Sequence, residues 1–292
     1  MKVGYIGLGI MGRACAANVL RAGHTLFLYA RRPDTVSDLL AQGAQLCASP
    51  AELAAQVEVV VTNVSDTPDV EQVLLGEHGV IHGAHPGLVA VDMSTIKPLA
   101  AKAMAAQLAI AGVDFLDAPV SGGEVGAING TLTIMVGGKA EALERVRPVL
   151  QAMGKTITHI GESGAGQVAK ACNQMLMVNA IQAAAEAMRL AAAHGLDLLR
   201  VREALAGGSA GSKVLDVMGG RMARRDFVAG IQARLHHKDF AMLMDEARQL
   251  GAPLPVAAQT WQQLNALMAL GGGRMDTSSL LKVLEAPVEK MQ

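Results

Sequence analysis

The stretch Lys2-Val3-Gly4-Tyr5-Ile6-Gly7-Leu8-Gly9-Ile10-Met11-Gly12 decides how this chain is read. It opens with a short apolar run, and a GxGxxG pattern follows without a gap. Arg13 to Ala22 then reads as a helix stopped by Gly23, and Thr25-Leu26-Phe27-Leu28-Tyr29 reads as a second strand. Strand, glycine turn, helix and strand in that order are the context a dinucleotide-binding turn requires. The glycines have separate tasks. Gly7 permits the tight turn, Gly9 lets a pyrophosphate approach the backbone, and Gly12 lets helix and strand pack closely. Leu8, Ile10 and Met11 complete the turn, and the helix start supplies N–H groups and a positive dipole end for the phosphates.

The end of the second strand bears on which dinucleotide is bound. An Asp or Glu there accepts hydrogen bonds from the adenosine ribose hydroxyls in an NAD enzyme. Here the sequence is Tyr29-Ala30-Arg31-Arg32-Pro33, with two arginines where the acid would stand. A guanidinium suits a 2′-phosphate through charge-assisted, often bidentate bonds. The expectation is NADP(H) in preference to NAD(H), with Arg31 the leading contact and Arg32 the second.

Strands and helices continue to alternate. Helices are expected at Pro33 to Gln42, after Ser49-Pro50 and from Thr67-Pro68, where Pro and Ser mark helix starts. Val57 to Thr62, Leu88 to Asp92 and Val113 to Asp117 read as strands, with a helix from Pro98 to Gly112 between the last two. Ligands of open parallel sheets sit beyond the carboxyl ends of the strands. The strand tips to watch are therefore Gly7–Gly12, Arg31–Arg32, Asn63–Ser65, Ser94–Thr95 and Ser121–Gly123. Gly130 to Gly138 alternates polar and apolar residues, so it reads as a strand with one exposed face, antiparallel and near an edge. A helix from Ala140 to Met153 and a short strand, Thr156 to Ile160, precede the loop Gly161-Glu162-Ser163-Gly164.

That loop is the expected domain boundary, giving an α/β Rossmann-like domain over 1–163 and an all-α domain over 164–292. A long run from Gly164-Ala165-Gly166 to His194-Gly195 has no Pro and no Gly after Gly166, so nothing in it breaks a helix. About thirty residues span roughly 45 Å, wider than a small domain, so this helix is expected to join the two. Lys170 lies near its start, with Asn173 and Gln174 on or near the same face. Taken alone, that face is either solvated or a catalytic lysine beside a substrate-anchoring amide. Cys172, roughly 200° around the helix from Lys170, is expected to be buried and inert. Further helices read at Asp197 to Ala206, Ser212 to Met222, Phe240 to Leu250, Pro255 to Leu270 and from Ser278. Arg221, Arg224 and Arg225 read as a solvated helix end. No His/Cys/Asp set has metal-ligand spacing, so no metal site is expected.

The 292 residues suffice for two domains and a large core. A net charge of −1 gives no bulk attraction to nucleic acid or acidic membranes. Aromatic residues make up only 2%, so a base-stacking surface is not expected. Polar or glycine residues interrupt every apolar run before about 18 residues accumulate, so no transmembrane span is read. Cys15, Cys47 and Cys172 show no CxxC spacing and fit a reducing compartment. No charged-then-apolar leader precedes Lys2, and the cytoplasm is the expected location.

Five motifs in chain order together resemble one family, the β-hydroxyacid dehydrogenases. They are Gly7 to Gly12, Asp92-Met93-Ser94-Thr95, Asp117-Ala118-Pro119-Val120-Ser121-Gly122-Gly123, Gly164-Ala165-Gly166 with Lys170 and Asn173, and His237-Lys238-Asp239. The resemblance covers essentially the whole chain and is greatest to the tartronate semialdehyde reductases within the family. It implies that Lys170 is the catalytic lysine and Asn173 orients the substrate. Ser121, Gly122 and Gly123 match the loop that holds the substrate carboxylate. Asn63, Val64 and Thr95 match positions along the nicotinamide, and Lys238 matches a lysine that closes over the cofactor. The family usually has a Leu-Pro pair after its third strand, whereas this chain has Asn63-Val64-Ser65-Asp66, so the contact there departs from the pattern.

The implied reaction is NADPH-dependent reduction of a small carboxylated semialdehyde, in an active site between the domains of a homodimer or homotetramer. Rival readings are 3-hydroxyisobutyrate or 4-hydroxybutyrate oxidation on the same scaffold and, in another class, an NADP-binding module without catalysis. Imine reductases share the architecture but typically replace the lysine, so Lys170 argues against that chemistry.

Overall fold

The computed structural model describes residues 1–285, and the last few residues of the expected all-α domain, 286–292, lie outside the described residues. Two compact units are present, Met1–Lys170 and a second from Ala171 onward. The sequence placed the boundary after Ser163. The division falls later because the first turn of the long helix is hydrogen-bonded to the sheet of the first unit.

The first unit is built on a nine-stranded sheet. Its strands are β1 (Lys2–Ile6), β2 (Thr25–Tyr29), β3 (Gln45–Leu46), β4 (Val59–Thr62), β5 (Val89–Asp92), β6 (Asp114–Asp117), β7 (Val120–Ser121), β8 (Leu132–Gly137) and β9 (Gly154–Gly161). The order β3-β2-β1-β4-β5-β6 is parallel throughout, the doubly wound arrangement of Rossmann-like domains. β8 runs antiparallel to β6 and β7, as its alternating pattern predicts, and β9 pairs parallel to β8. β1 hydrogen-bonds to both β2 and β4, so the strand order reverses beside it, and ligands of such sheets bind at the carboxyl ends of the strands at that point.

Helices α1 (Ile10–Arg21), α2 (Ser37–Ala41), α3 (Pro50–Ala54), α4 (Thr67–Leu75), α5 (Pro98–Ile110), α6 (Gly123–Asn129) and α7 (Ala140–Met153) complete the first unit. β4 and β5 are buried along their whole length, which explains sequences that are β-branched and apolar up to the closing Asp92 of β5. Their side chains divide between two cores. Val59 and Val61 join Cys15, Ala16 and Val19 of α1 and Val146 and Leu150 of α7 in one. Val60 joins Leu53 of α3, Val70 and Leu74 of α4 and Met104 and Leu108 of α5 in the other. Pro33–Val36 is a 3₁₀ turn leading into the short α2, where the sequence suggested one continuous helix.

α8 (Ala165–Ala193) is a single 29-residue helix that begins in the first unit and continues into the second. Four further α-helices follow: α9 (Leu198–Ala206), α10 (Gly220–Ala223, entered through a π turn at Leu215–Gly219), α11 (Ala233–Leu250) and α12 (Pro255–Ala269). α13 (Leu280–Glu285) closes the described chain. Among the described residues of this unit, a single bridge between Gln232 and Asp276 is the only sheet-type pairing. Val178, Ile181, Ala185 and Met188 of α8 recur at helical spacing and pack with Phe240, Leu264, Leu267 and Leu280. No helix among the described residues is long and apolar enough to cross a membrane.

Three expectations change in the second unit. α11 begins two turns earlier than Phe240, so His236 to Asp239 are helical. Cys172 is exposed rather than buried. The buried face of α8 runs through Gln167, Lys170, Gln174, Val178 and Ile181, and Cys172 falls off it. Arg221 is also less solvated than expected, since its guanidinium lies 3.6 Å from the buried Asp276.

Candidate active site

The glycine turn closes β1 onto α1. Gly7 has φ +95°, and a side chain there would meet the Asn63 carbonyl oxygen at 2.2 Å. At Gly12 a Cβ would lie 1.9 Å from the Gly7 carbonyl oxygen and 3.2 Å from the Tyr5 ring, so the helix and strand pack too closely for any side chain. Gly9 differs, because nothing lies within 4 Å of the Cβ it lacks. Its bareness serves no packing purpose inside the chain and leaves room for a group outside it. α1 starts immediately after Gly9, three residues earlier than the sequence suggested, and its first amides have no intrahelical acceptor. Leu8 and Met11 are half-buried, while Ile10 is exposed. This cradle fits the pyrophosphate of a nicotinamide dinucleotide.

Arg31 and Arg32 are both exposed just beyond β2. The Arg32 carbonyl accepts from the Thr35 hydroxyl at 2.7 Å, which tightens the following turn. Arg13 of α1 reaches the same turn, donating to the Thr35 carbonyl and pairing with Asp38. The loop carrying the two arginines is therefore braced from the glycine turn.

The carboxyl ends of β4 and β5 are tied together by Asp92. Its Oδ1 accepts from the Thr62 hydroxyl at 2.7 Å and from the Ser94 amide at 3.2 Å. The Ser94 hydroxyl in turn accepts from the Val64 amide at 2.9 Å. Asn63 and Val64 are thereby joined to Ser94 and Thr95, and Gly7 abuts Asn63. Burial pushes the Asp92 carboxyl up to about 6, with the Ser94 and Thr62 hydrogen bonds opposing that rise. Where the family pattern has Leu-Pro, Asp66 caps α4 by accepting from the Thr67 amide at 2.7 Å.

β6 ends in a second buried carboxylate, Asp117. Oδ1 accepts from the Gly164 amide at 2.6 Å and Oδ2 from the Gln167 amide at 2.9 Å, so Asp117 caps the start of α8. Burial raises its carboxyl, and these backbone donors pull it back. Three residues after Gln167, Lys170 is 8% exposed and donates from Nζ to the Val120 carbonyl at 2.8 Å. Val120 directly precedes Ser121, Gly122 and Gly123. Gly122 has φ +139° and Gly123 φ +62°, turning the chain from β7 into α6. The fold thus brings the ammonium group of Lys170 to the entrance of the Ser121–Gly123 loop.

Asn173 and Lys238 lie in the second unit. Asn173 Nδ2 donates to Gln174 Oε1 at 2.9 Å, and Gln174 Nε2 donates to Asp239 Oδ2 at 2.6 Å. Lys238 Nζ is 3.4 Å from Asp239 Oδ1. One polar chain therefore connects the two residues that the resemblance singled out in this unit. The adjacent His237 stacks on Trp261 with ring centroids 4.4 Å apart and hydrogen-bonds Asn265.

Asp92, Asp117 and Gln167 have no role that the sequence alone assigns. For the two acids a signal was present, a carboxylate closing an otherwise apolar strand. Nothing local marked Gln167.

Comparison with known proteins agrees with this arrangement. Residues 2–161 match the NAD-binding domain of 6-phosphogluconate dehydrogenase, and residues 164–284 match the NAD-binding domain of NADP-dependent 3-hydroxyisobutyrate dehydrogenase. The chain is 42% identical to 2-hydroxy-3-oxopropionate reductase of Escherichia coli, over 98% of this chain and 97% of that protein. It is 35% identical to the NAD-dependent L-serine dehydrogenase of Pseudomonas aeruginosa, over 97% of this chain and 98% of that protein. The solved structure of 3-hydroxyisobutyrate dehydrogenase from Mycobacterium tuberculosis superposes with a TM-score of 0.90 at 32% identity, covering 98% of this chain and 99% of that one. A glycine cradle for a dinucleotide, a buried lysine at a glycine loop and these full-length similarities agree: the chain belongs to the β-hydroxyacid dehydrogenases and is an NAD(P)-dependent oxidoreductase.

Proposed function

We propose that the chain reduces tartronate semialdehyde to glycerate with NADPH, and that Lys170 is its general acid and base. The observation that carries the lysine's role is its hydrogen bond to the Val120 carbonyl, which holds a buried ammonium group beside Ser121–Gly123. The choice of substrate is supported by the 42% identity to 2-hydroxy-3-oxopropionate reductase, another name for the same activity. The choice of NADPH is supported by Arg31 and Arg32, which replace the ribose-binding acid and stand exposed beyond β2.

When bound, the nicotinamide supplies the hydride. As the aldehyde carbon is reduced, negative charge builds on its oxygen, and a proton donor there stabilises that charge and completes the alcohol. Lys170 Nζ gives that proton, and in the reverse direction the neutral amine accepts it. Ser121 offers a hydroxyl, and the Gly122–Gly123 turn brings backbone close to the substrate carboxylate without side-chain obstruction. Asn173, one helical turn beyond Lys170, holds a substrate oxygen so that the carbonyl faces the lysine.

A panel of tartronate, methylmalonate and succinate semialdehydes, each assayed with NADPH and NADH, tests the assignment. The highest kcat/KM is expected for tartronate semialdehyde with NADPH. A higher value with either other substrate moves the chain to 3-hydroxyisobutyrate or 4-hydroxybutyrate chemistry, and a higher value with NADH overturns the cofactor choice. Lys170→Ala is expected to lose at least about a hundredfold in kcat while still binding NADPH. Near-normal kcat in that variant removes Lys170 from the mechanism. No turnover of any semialdehyde by the native enzyme favours a binding module.

A further inference from the structure

Gln167 is 1% exposed, and its backbone amide and side chain make three hydrogen bonds to two parts of the first unit, the end of β6 and the loop after β5. Its backbone amide donates to Asp117 Oδ2 at 2.9 Å, at the end of β6. Its side-chain Oε1 accepts from the Ile96 amide at 3.1 Å, and its Nε2 donates to the Ser94 carbonyl at 2.8 Å. The donor and the acceptor facing it fix which way the carboxamide points. Ser94 and Ile96 flank Thr95, so one buried side chain grips both sides of a residue placed along the nicotinamide. Lys170 follows three residues later on the same helix.

Close approach around this grip leaves the turn no slack. A Cβ at Gly166 would stand 2.5 Å from the Asp117 carbonyl and 2.5 Å from the Met135 carbonyl. A Cβ at Gly137 would lie 2.6 Å from Asp117 Oδ1 and 2.7 Å from the Gly166 amide. The two glycines let α8 begin directly against β6 and β8. A helix start that needed only stability could be capped by one serine or aspartate of its own. Here the cap comes from Asp117, distant in sequence, and a second buried amide is committed to the cofactor loop.

We propose that Gln167 is a positioning residue, whose carboxamide locks the Ser94–Ile96 loop to the first turn of α8 while Asp117 anchors that turn, and so sets where Lys170 stands relative to the nicotinamide loop. This rests on the reading of Lys170 as the general acid. Misplacing a catalytic group by about 1 Å costs on the order of a hundredfold in rate, so a small shift here is amplified in kcat.

Gln167→Glu tests the lock. A protonated carboxyl keeps both bonds, its C=O accepting from Ile96 and its O–H donating to Ser94. Ionised, it sets a carboxylate oxygen against the Ser94 carbonyl. Burial and the carboxylates of Asp117 and Asp92 raise the introduced carboxyl above its usual value near 4.3, and Lys170, on the same face of α8, opposes them. Lys102, which packs beside Gly164, and Lys97, which follows Ile96 in the chain, are further cations of this region.

The expected result is a variant within about threefold of wild type in kcat at the acid end of the profile. It falls at least about tenfold as pH rises through an inflection that wild type lacks. The NADPH dissociation constant, read by fluorescence, should stay within about threefold. Melting temperature relative to wild type should fall across the same pH window, because a buried acid with a raised value loses stability on ionising. If the variant does not fold, Gln167→Met keeps the volume and removes both bonds. It is expected to lose at least about tenfold in kcat with NADPH binding retained.

A wild-type pH profile and kcat in Gln167→Glu, or an unchanged kcat in Gln167→Met, overturns the proposal. Lys170→Ala run in parallel separates the two levels. If it keeps its kcat, the reading of the lysine has failed. If it loses activity while the Gln167 variants do not, only the positioning role has failed.

Discussion

Asp92→Asn should flatten part of the pH dependence of stability. Asp92 is fully buried, and its carboxyl is raised from 3.8 to about 6, first by desolvation and to a small extent by Asp117. An acid with a raised value holds its proton in the folded chain at pH values where the unfolded chain has already lost it. Stability is therefore greatest below the unfolded value and declines as pH climbs to the folded one. The gap between 3.8 and about 6 corresponds to about 3 kcal/mol over the whole window. About 2 kcal/mol of that falls between about pH 4.5 and about pH 7.5. Asparagine keeps an oxygen to accept from Thr62 and Ser94 but has no proton to lose. Urea unfolding of both proteins across that range, read by circular dichroism, isolates the carboxyl, since every other group is common to the two. The difference, wild type minus variant, should fall by about 2 kcal/mol on going up the range. Parallel curves, or a difference that rises with pH, would falsify the assignment of a raised, buried Asp92.

Three further changes test other parts of the structure. Arg31→Ser with Arg32→Ser should weaken NADPH binding by roughly tenfold or more, the loss of one or two charge-assisted bonds, and leave NADH within about threefold. Calorimetric titration with both nucleotides reads this, and equal losses would remove the arginines from 2′-phosphate recognition. Gly12→Ala forces a Cβ to within 1.9 Å of the Gly7 carbonyl. It should cost about 1–3 kcal/mol and abolish dinucleotide binding, and a variant with normal melting and affinity would contradict the close helix–strand contact. Cys172 is exposed while Cys15 and Cys47 are buried, so one thiol per native chain should react rapidly with a disulfide reagent. That fast phase should vanish in Cys172→Ser, and its persistence would place the reactive thiol elsewhere.

Elements bounded by glycine or proline and filled with apolar residues were legible from the residues alone. β1, β2 and α7 begin and end where the sequence pattern puts them. One helix, α6, and the first two turns of another, α11, do not show in the sequence, for different reasons. α6 is short and starts in Gly122-Gly123, where glycine argues for a turn. The first turns of α11 bury Ala233 and His236 ahead of Phe240, and a histidine in the core position breaks the apolar rhythm that marks a helix. His236 is held there by Thr277, 2.7 Å from its ring nitrogen, a partner far away in sequence. The candidate site divides along the same line. Glycine loops, paired arginines and a lysine on an Ala-rich helix are local signals. The supports for that lysine are Asp117 and Gln167, and what they hold is settled only once β6, the loop after β5 and the start of α8 meet. Cys172 is exposed against expectation because a helix phase can be counted from residues, whereas which faces are covered depends on neighbours.

α8 carries Lys170 and Asn173 on one unbroken helix, the first at the end of one compact unit and the second at the start of the next. Their separation is a property of the helical repeat, about 4.5 Å along the axis and about 300° around it. It acts as a ruler whose length no loop adjusts. Side chains on this segment can drift through substitution, but inserting or deleting a single residue between positions 170 and 173 would swing the asparagine by about 100°. Lineages descended from this scaffold should accordingly vary the length of their surface loops freely and keep the count of residues in that one turn fixed.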